Sequence, residues 1–106
     1  DIIQIAFDRD NSKLWVGRNN TWGVNGGTPV SPSDPASGFL SIPTNVLPAF
    51  MIRGSFQCVV NFGQDSSFAG NVTAQNNSDG NGQGNFYYTP PSGYLALCTK
   101  NLGESG

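Results

Sequence analysis

The chain opens with a regular alternation of apolar and polar positions. Within residues 2–8, Ile3, Ile5 and Phe7 fall on one face of an extended segment, while smaller or more polar side chains fall mostly on the other. This period of two residues predicts a half-buried β-strand. Because the sequence begins inside this strand, we expect it to be a segment of a longer polypeptide.

A β-hairpin is predicted from the residues that follow. Residues 9–12 combine Arg, Asp, Asn and Ser, which supply turn chemistry, and residues 13–17 resume the apolar alternation. Asn19 and Asn20 predict a second tight turn, because Asn tolerates the left-handed backbone that such a turn needs. Residues 1–22 are therefore predicted to form a hairpin and the start of a third strand.

The rest of the sequence predicts short strands separated by long loops. Residues 23–38 and 63–85 contain few apolar side chains and many Gly, Asn, Ser or Pro residues. Loops beyond about 12–15 residues are uncommon in compact domains, so the second stretch is expected to be functional or mobile. Strands are predicted over residues 39–42, 46–53, 56–62, 86–88 and 94–98, with no helix longer than one turn. This pattern predicts an all-β fold, specifically an antiparallel two-sheet sandwich.

Composition and charge exclude several classes of protein. Of the 106 residues only 11% are charged, the net charge is −2, and there is no His. Nucleic-acid binding is not expected without a basic patch, and neither is membrane insertion, since no apolar run approaches the ~20 residues that a bilayer requires. The absence of His excludes Ser-His-Asp and Cys-His nucleophile systems and His-bearing metal sites.

The two cysteines, Cys58 and Cys98, each lie in an apolar, strand-like run. Two cysteines are too few to staple a small secreted domain. Because Cys packs as a small hydrophobe, both are expected to be buried free thiols. A bridge between them stays open as an alternative if the two strands are neighbours.

Four motifs of the chain resemble SPRY domains. Residues 1–19 (DIIQIAFDRDNSKLWVGRN) resemble the mid-domain hairpin of that family. Residues 47–50 (LPAF) resemble its Phe/Leu-Pro-Ala strand, and residues 59–64 (VVNFGQ) resemble its Val-x-x-Asn-Phe-Gly strand. Residues 86–102 (FYYTPPSGYLALCTKNL) closely resemble the closing segment of SPRY-like modules in bacteriophage virion proteins, with marine tailed phages as the nearest match.

The resemblance implies the C-terminal portion of a SPRY, or concanavalin-like, β-sandwich over residues 1–102, followed by a linker or tail over residues 103–106. The N-terminal half of such a domain has no counterpart in this sequence. The family fold is a binding scaffold, so the resemblance implies a non-enzymatic virion module: a tail fibre, capsid fibre or decoration protein. Its implied partners are other virion proteins, further copies of itself and a host-surface glycan or protein. The resemblance assigns no catalytic, cofactor-binding or metal-binding residue and implies no cofactor.

Asp8 and Asp10 flank the first turn and are predicted to point to the same face. Two carboxyl groups about 5–10 Å apart across a sugar-binding cleft are the requirement for glycoside hydrolysis. The simpler hypothesis is that the two residues cap the turn through Asx hydrogen bonds. We favour turn capping, because nothing in the sequence predicts a partner that would raise one of the two pKa values.

Residues 79–84 (DGNGQG) place oxygen-bearing side chains at alternate positions and Gly at the sixth, which is the pattern of a calcium loop. Pro90 occupies the twelfth position, where such a loop needs Glu. One carboxylate also provides too little charge for strong Ca²⁺ binding. A flexible Gly/Asn-rich loop is therefore the favoured interpretation.

Several aromatic residues are candidates for stacking on sugar rings, because an aromatic face beside amides offers contact area and hydrogen bonds. Packing in the core or in turns is the simpler expectation for most of them. The candidates are Trp15, Trp22, Phe39, Tyr87, Tyr88 and Tyr94.

Three functions stay open from the sequence. The leading hypothesis is a virion attachment module that acts by multivalent display, in which weak single contacts are multiplied by many copies. The second is a peptide-binding SPRY module of an intracellular adaptor. The third is a carbohydrate-binding or polysaccharide-degrading unit.

Overall fold

The computed structural model describes residues 1–25, 28–37, 40–43, 45, 49 and 51–105. The chain divides into two compact units, Asp1–Pro48 and Ala49–Gly106, here called the hairpin unit and the loop unit. Most regular elements of the described residues are antiparallel β-strands, joined by a short 3₁₀ turn and one short α-helix. The predicted β class is confirmed at this level.

The hairpin unit is built on two long neighbouring strands. Strand β1 (Ile3–Asp8) pairs antiparallel with β2 (Lys13–Arg18), and Ala6 lies opposite Trp15. Both strands carry the period of two that a pleated ribbon requires. The predicted hairpin is therefore confirmed.

Both predicted turns of this region are also confirmed. In the first turn Ser12 has a φ of 54° and donates its N–H to the carbonyl of Arg9 at 3.2 Å. In the second, Asn19 and Asn20 have φ values of 50° and 68°, and Thr21 pairs back onto the end of β2. These φ values lie in the left-handed region, which Asn adopts more readily than other side-chain-bearing residues.

Three two-residue strands and a 3₁₀ turn complete the described part of the hairpin unit. Strand β3 (Val24–Asn25) pairs with β4 (Thr28–Pro29), while β5 (Leu40–Ser41) adds to β2 and gives the sheet order β1-β2-β5. The 3₁₀ turn covers Pro35–Ser37. The sequence predicts a loop over residues 23–38, because strands of two residues are too short to produce a visible alternation.

Trp15 is the centre of the hairpin unit's core, with none of its surface exposed. Ala6, its partner across the hairpin, and Val30 are buried with it. The indole N–H of Trp15 donates to Oγ of Ser37 at 3.4 Å. The face of the β1–β2 ribbon that carries Trp15 is therefore its inner face, because the largest side chain is buried there.

The opposite, more apolar face of the same ribbon is exposed. Ile3, Ile5 and Phe7 of β1 are 57%, 53% and 42% exposed, and the neighbouring Val16 of β2 is 39% exposed. The prediction of a half-buried strand is confirmed, but the covered face is the one that carries Ala6 and not the more apolar one. Alternation identifies two faces of a strand, but only the surrounding structure decides which face is covered.

The loop unit differs most from expectation. The strands predicted in this part of the chain are wrong over residues 56–62, 86–88 and 94–98. Phe86 forms only an isolated bridge with Asn77, and the strand predicted over residues 46–53 falls partly outside the described residues, with residues 51–53 irregular. A strand exists only where a second strand pairs with it, and strand-like composition cannot supply that partner.

Helix α1 (Thr99–Ser105) corrects the prediction that no helix exceeds one turn. It includes three of the four residues expected to form a tail, and the predicted domain boundary at residue 102 stays a prediction. Its sequence includes Asn and Gly, which are weak helix formers, and the buried, hydrogen-bonded side chain of Asn101 ties its first turn to Asp79. No helix in the described part of the chain is long and apolar enough to cross a membrane.

Candidate functional site

The irregular stretch of the loop unit is held largely by hydrogen bonds in which side-chain oxygens accept from backbone N–H groups. The carboxylate of Asp65 accepts from the N–H and hydroxyl of Ser67, at 2.8 and 2.7 Å, and from the N–H of Ala69 at 2.9 Å. These bonds to Ser67 and Ala69 stabilise the charged form and lower the pKa of Asp65. Ser66 is fully buried, and its Oγ accepts from the backbone N–H of Gln75 at 3.2 Å.

Asp79 organises a larger part of the loop unit. Its Oδ1 accepts from the backbone N–H of Asn81 and Gln83, both at 2.9 Å. Its Oδ2 accepts from the N–H of Ala96 at 2.8 Å and from Nδ2 of Asn101 at 2.9 Å. Burial by itself raises the pKa of this carboxyl, but the four donors outweigh burial and lower the pKa to about 2.

Asn101 completes the network around Asp79. Its Nδ2 also donates to the carbonyl of Ala96 at 2.8 Å, and its Oδ1 accepts from Nδ2 of Asn81 at 3.0 Å. The amide is therefore satisfied on both sides although the residue is 4% exposed. This arrangement joins the first turn of α1 to the nearby Ala96 and to the segment of Asp79 and Asn81, which is distant in sequence.

The geometry at Asp79 favours a structural role over the calcium loop considered from the sequence. Calcium requires several oxygen ligands directed at one point. Here the neighbours directed at the Asp79 carboxylate are N–H groups, which present positive dipole ends. Within the described residues, no group of three or more His, Cys, Asp or Glu side chains is placed to hold a metal ion.

A cleft of about 300 Å³ lies beside this network. We call it the loop cleft; it is lined by residues 62–64, 83–84 and 96–100. Asp79 holds two of these segments directly, through the N–H groups of Gln83 and Ala96. One buried carboxylate therefore joins these two segments of the cleft lining to each other.

Two glycines of the cleft lining, Gly63 and Gly84, lie where there is little room for a side chain. A Cβ built on Gly63 would lie 3.1 Å from Cα of Gly84, and one built on Gly84 would lie 2.5 Å from Cε2 of Phe86. Both glycines have positive φ, which disfavours any residue with a side chain. Asn61 joins the two segments, because its Oδ1 accepts from Gly63 N–H at 2.7 Å and its Nδ2 donates to the carbonyl of Asn85 at 2.9 Å.

The side chains of the loop cleft offer chemistry for binding a hydroxyl-rich ligand. Phe62 is 41% exposed. The amide of Gln64 is oriented by two backbone hydrogen bonds of 2.6 and 2.7 Å, whereas the amide of Gln83 makes one longer bond of 3.4 Å. Thr99 and Lys100 are exposed at the start of α1. Amides, a hydroxyl and an aromatic ring are the groups that orient neutral polar ligands in shallow sites.

The aromatic candidates from the sequence occupy other places. Trp15 is buried in the hairpin unit, and Phe39 lies outside the described residues. Tyr87 and Tyr88 contact each other edge to face, with ring centroids 4.9 Å apart. Half-buried positions are taken by Trp22, Tyr87, Tyr88 and Tyr94. The aromatic residue that lines the loop cleft is instead Phe62.

Asp8 caps the first turn, as the simpler hypothesis predicts. Its Oδ1 accepts from the backbone N–H of Asn11 at 3.1 Å and its Oδ2 from Nδ2 of the same residue at 2.7 Å. Asp10 is exposed within the turn. Both oxygens of Asp8 are thus engaged with one neighbouring residue.

Both cysteines are free thiols. Cys58 is exposed and Cys98 is half-buried, so the prediction that both are buried is wrong. The strands expected to bury them are absent from the described residues at these positions. Cys98 lies in the lining of the loop cleft.

The sequence predicted no binding role for Gln64, Thr99 or Asn101, and Gln83 was considered only as part of the candidate calcium loop. The one available signal was the run of Asp, Asn and Gly over residues 79–85, which is rich in turn-forming residues. No family model matches this sequence, and comparisons with curated proteins and with solved structures found no match. The resemblance to SPRY-like phage modules therefore stays a prediction.

Proposed function

We propose that this chain is a non-enzymatic structural and attachment module of a bacteriophage virion, in a tail fibre, capsid fibre or decoration protein. The observation that carries the proposal is the Asp79 network, which joins two segments of the cleft lining to each other and to helix α1. Because these hydrogen bonds order the loops before a partner arrives, binding does not have to include the entropy cost of ordering them. The resemblance of residues 86–102 to phage virion modules supports the same assignment.

The proposed fold of the module is a two-sheet, SPRY-like sandwich of which this chain forms a part. Its support is the exposed apolar face of Ile3, Ile5, Phe7 and Val16. Sheets of a sandwich pack about 10 Å apart through alternate apolar side chains, as on this face. A second sheet placed over the hairpin would bury those four residues.

In the proposed mechanism, many copies on one particle turn weak single contacts into firm attachment to the host surface. Mass spectrometry of density-purified particles tests the assignment directly. We expect several copies of the chain per particle, in contact with other virion proteins and with further copies of itself. Recovery of the chain only from host cytosol would contradict the proposal.

Carbohydrate binding at the loop cleft is a second candidate function, favoured by Phe62 beside the Gln83 amide and Thr99. Titration with neutral oligosaccharides tests it by calorimetry or on a glycan array. We expect Phe62→Ala and Gln83→Ala to weaken binding about tenfold, which is the effect of losing one stacking or hydrogen-bonding contact. Phe56→Ala and Gln75→Ala are matched controls, because both residues are exposed and lie outside the cleft lining. Equal losses in the controls would contradict binding at the cleft.

A further inference from the structure

Strand β1 lies at the edge of its sheet, where the order is β1-β2-β5. In an antiparallel pair, successive residues of one strand direct their N–H and C=O groups alternately toward the partner and away from it. The carbonyl of Ile2 accepts from Asn19 at 2.9 Å, so even-numbered positions of β1 face β2. Ile3, Ile5 and Phe7 therefore direct their backbone groups outward. None of these outward groups has a hydrogen-bond partner in the part of the chain that the structure describes.

This edge lacks the features that usually prevent pairing with another chain. Natural edge strands are short or carry Pro, Lys, inward charges or a bulge. Over residues 3–7, β1 reads Ile-Gln-Ile-Ala-Phe, with no charge and no Pro or Gly. Its register with β2 runs without interruption from Ile3 to Asp8. The strand is long, regular and apolar on its exposed face, which is the profile of a strand that another strand joins.

We propose that β1 pairs antiparallel with β1 of a second copy, about a two-fold axis that passes through Ile5. Ile5 then lies opposite its own equivalent, and Ile3 lies opposite Phe7 of the other copy. Each of these pairs joins residues whose backbone groups point outward, so each exchanges two N–H···O bonds. The result is one continuous sheet with the exposed apolar side chains of both copies on the same face.

Charge supports this register over its neighbours. The pairing places Asp1 opposite Arg9 of the other copy, and Arg9 has no ion pair among the described residues. Asp1 already lies 2.8 Å from Arg18 of its own chain, at a largely exposed position that a second cation can approach. An axis at Gln4 would instead oppose Asp1 and Phe7, and an axis at Ala6 would oppose Ile3 and Arg9. The axis at Ile5 also sets Asp8 opposite Ile2, so each of the three registers leaves a charge against an apolar side chain. Only the axis at Ile5 adds a pair of opposite charges, which is favourable across a strand pair.

A two-fold pairing uses the free β1 edge of both copies and is closed. It produces a dimer and not a fibre. The apolar face stays available to the second sheet of the proposed sandwich. This dimer is the self-association that the proposed virion role requires. Only its biological purpose rests on that role, because the pairing itself is a property of the purified chain.

Light scattering of the full 106-residue chain after size exclusion tests the proposal first. We expect a concentration-dependent dimer. Ile5→Pro removes an N–H that points outward while leaving the bonds of β1 to β2, so we expect it to weaken dimerisation by at least about tenfold. Val16→Lys is the control: Val16 shares the exposed face but lies in the inner strand β2, and it should leave the dimer unchanged. A monomeric parent chain at about 100 μM, or loss of the dimer with Val16→Lys alone, would overturn edge pairing.

Disulfide trapping tests the register and does not depend on how well Ile5→Pro folds. In a background with Cys58→Ser and Cys98→Ser, Ile5→Cys should form a disulfide-linked dimer on mild oxidation, because directly opposed residues lie about 5.5 Å apart between Cα atoms. Phe7→Cys alone should not, whereas a mixture of Ile3→Cys and Phe7→Cys should give the mixed dimer. Equal trapping of Phe7→Cys with itself would refute the two-fold axis at Ile5. If the dimer is trapped but the chain is absent from virus particles, the strand pairing stands and only the proposed virion role is contradicted.

Discussion

The hairpin unit and the loop unit are held together by different interactions. The hairpin unit has an uninterrupted ladder between β1 and β2 and a fully buried Trp15. In its described residues the loop unit has one short helix, and its segments are joined by side-chain hydrogen bonds, chiefly those of Asp79 and Asn101. One is stabilised mainly by burial of apolar surface, and the other mainly by satisfied polar groups.

This difference explains why the loop unit is the better candidate for binding. A polar network specifies one arrangement sharply, because each unmade bond leaves a buried group unsatisfied. The bonds to Asp79 come from backbone N–H groups and the Asn101 amide, so they do not use the side chains of Gln83 and Thr99 in the cleft lining. The hairpin unit offers instead an edge and an apolar face, which suit contact with another β-strand or sheet.

The largest effect is expected from Trp15→Ala in the hairpin unit. Removing a fully buried indole should lower the free energy of unfolding by about 3–5 kcal/mol. Hydrogen exchange measured separately for the two units should show lost protection in β1 and β2 and little change near Asp79. Val16→Ala, at the next and 39% exposed position, is the control and should have a small effect. Equal loss of protection in both units would show that they do not differ as described.

Asn101→Ala is the corresponding change in the loop unit. It removes the donor to Asp79 and Ala96 and the acceptor for Asn81, which we expect to cost about 2–3 kcal/mol. Amide NMR signals around the cleft should lose dispersion while those of the hairpin persist. Leu102→Ala is the control, because this neighbouring residue of α1 is 58% exposed. If both variants behave alike, the network around Asp79 is not what stabilises this unit.

Gly84→Ala tests the close approach of Gly84 to Phe86 in the cleft lining. We expect it to lower the free energy of unfolding by about 1–3 kcal/mol. The new Cβ would meet Phe86 at 2.5 Å on a backbone with a φ of 88°. Two controls separate backbone strain from steric overlap. Gly82 has a φ of 73° and open space around a new Cβ, so Gly82→Ala tests strain alone; Gly80 has open space and no positive φ, so Gly80→Ala tests neither. Thermal unfolding should rank the losses as Gly84, then Gly82, then Gly80. A neutral Gly84→Ala would mean that the close approach is not needed.

The two carboxylates with lowered pKa are expected to have the smallest effect on the stability of the loop unit near neutral pH. In acid we expect them to lower that stability. The folded pKa of Asp79 is about 2, below the unfolded value of about 4, so its contribution is present above pH 4 and is lost as the pH falls toward 2. Asp65 shifts in the same direction. Between pH 7 and 5 the stability of the loop unit should not change through these groups. Below pH 4 its amide protection should fall before that of the hairpin, and Asp79→Asn should remove most of this acid dependence.

The sequence alone predicted those features that depend on residues close to one another along the chain. Alternation in β1 and β2 and the left-handed preference of Asn19 and Asn20 specify the hairpin and its turns, because these signals act over a few residues. Turn capping by Asp8 was predictable for the same reason. The Asn/Gly-rich run was identified as irregular, although its internal bonding was not.

Tertiary structure decided the rest. It determined which face of β1 is covered, whether residues 56–62 find a strand to pair with, and that Thr99–Ser105 is helical. The loop cleft belongs to this second class, since Asp79 joins Gln83 to partners 17 and 22 positions away, Ala96 and Asn101. A hydrogen bond between distant residues leaves no period in a sequence, so only the folded chain reveals it.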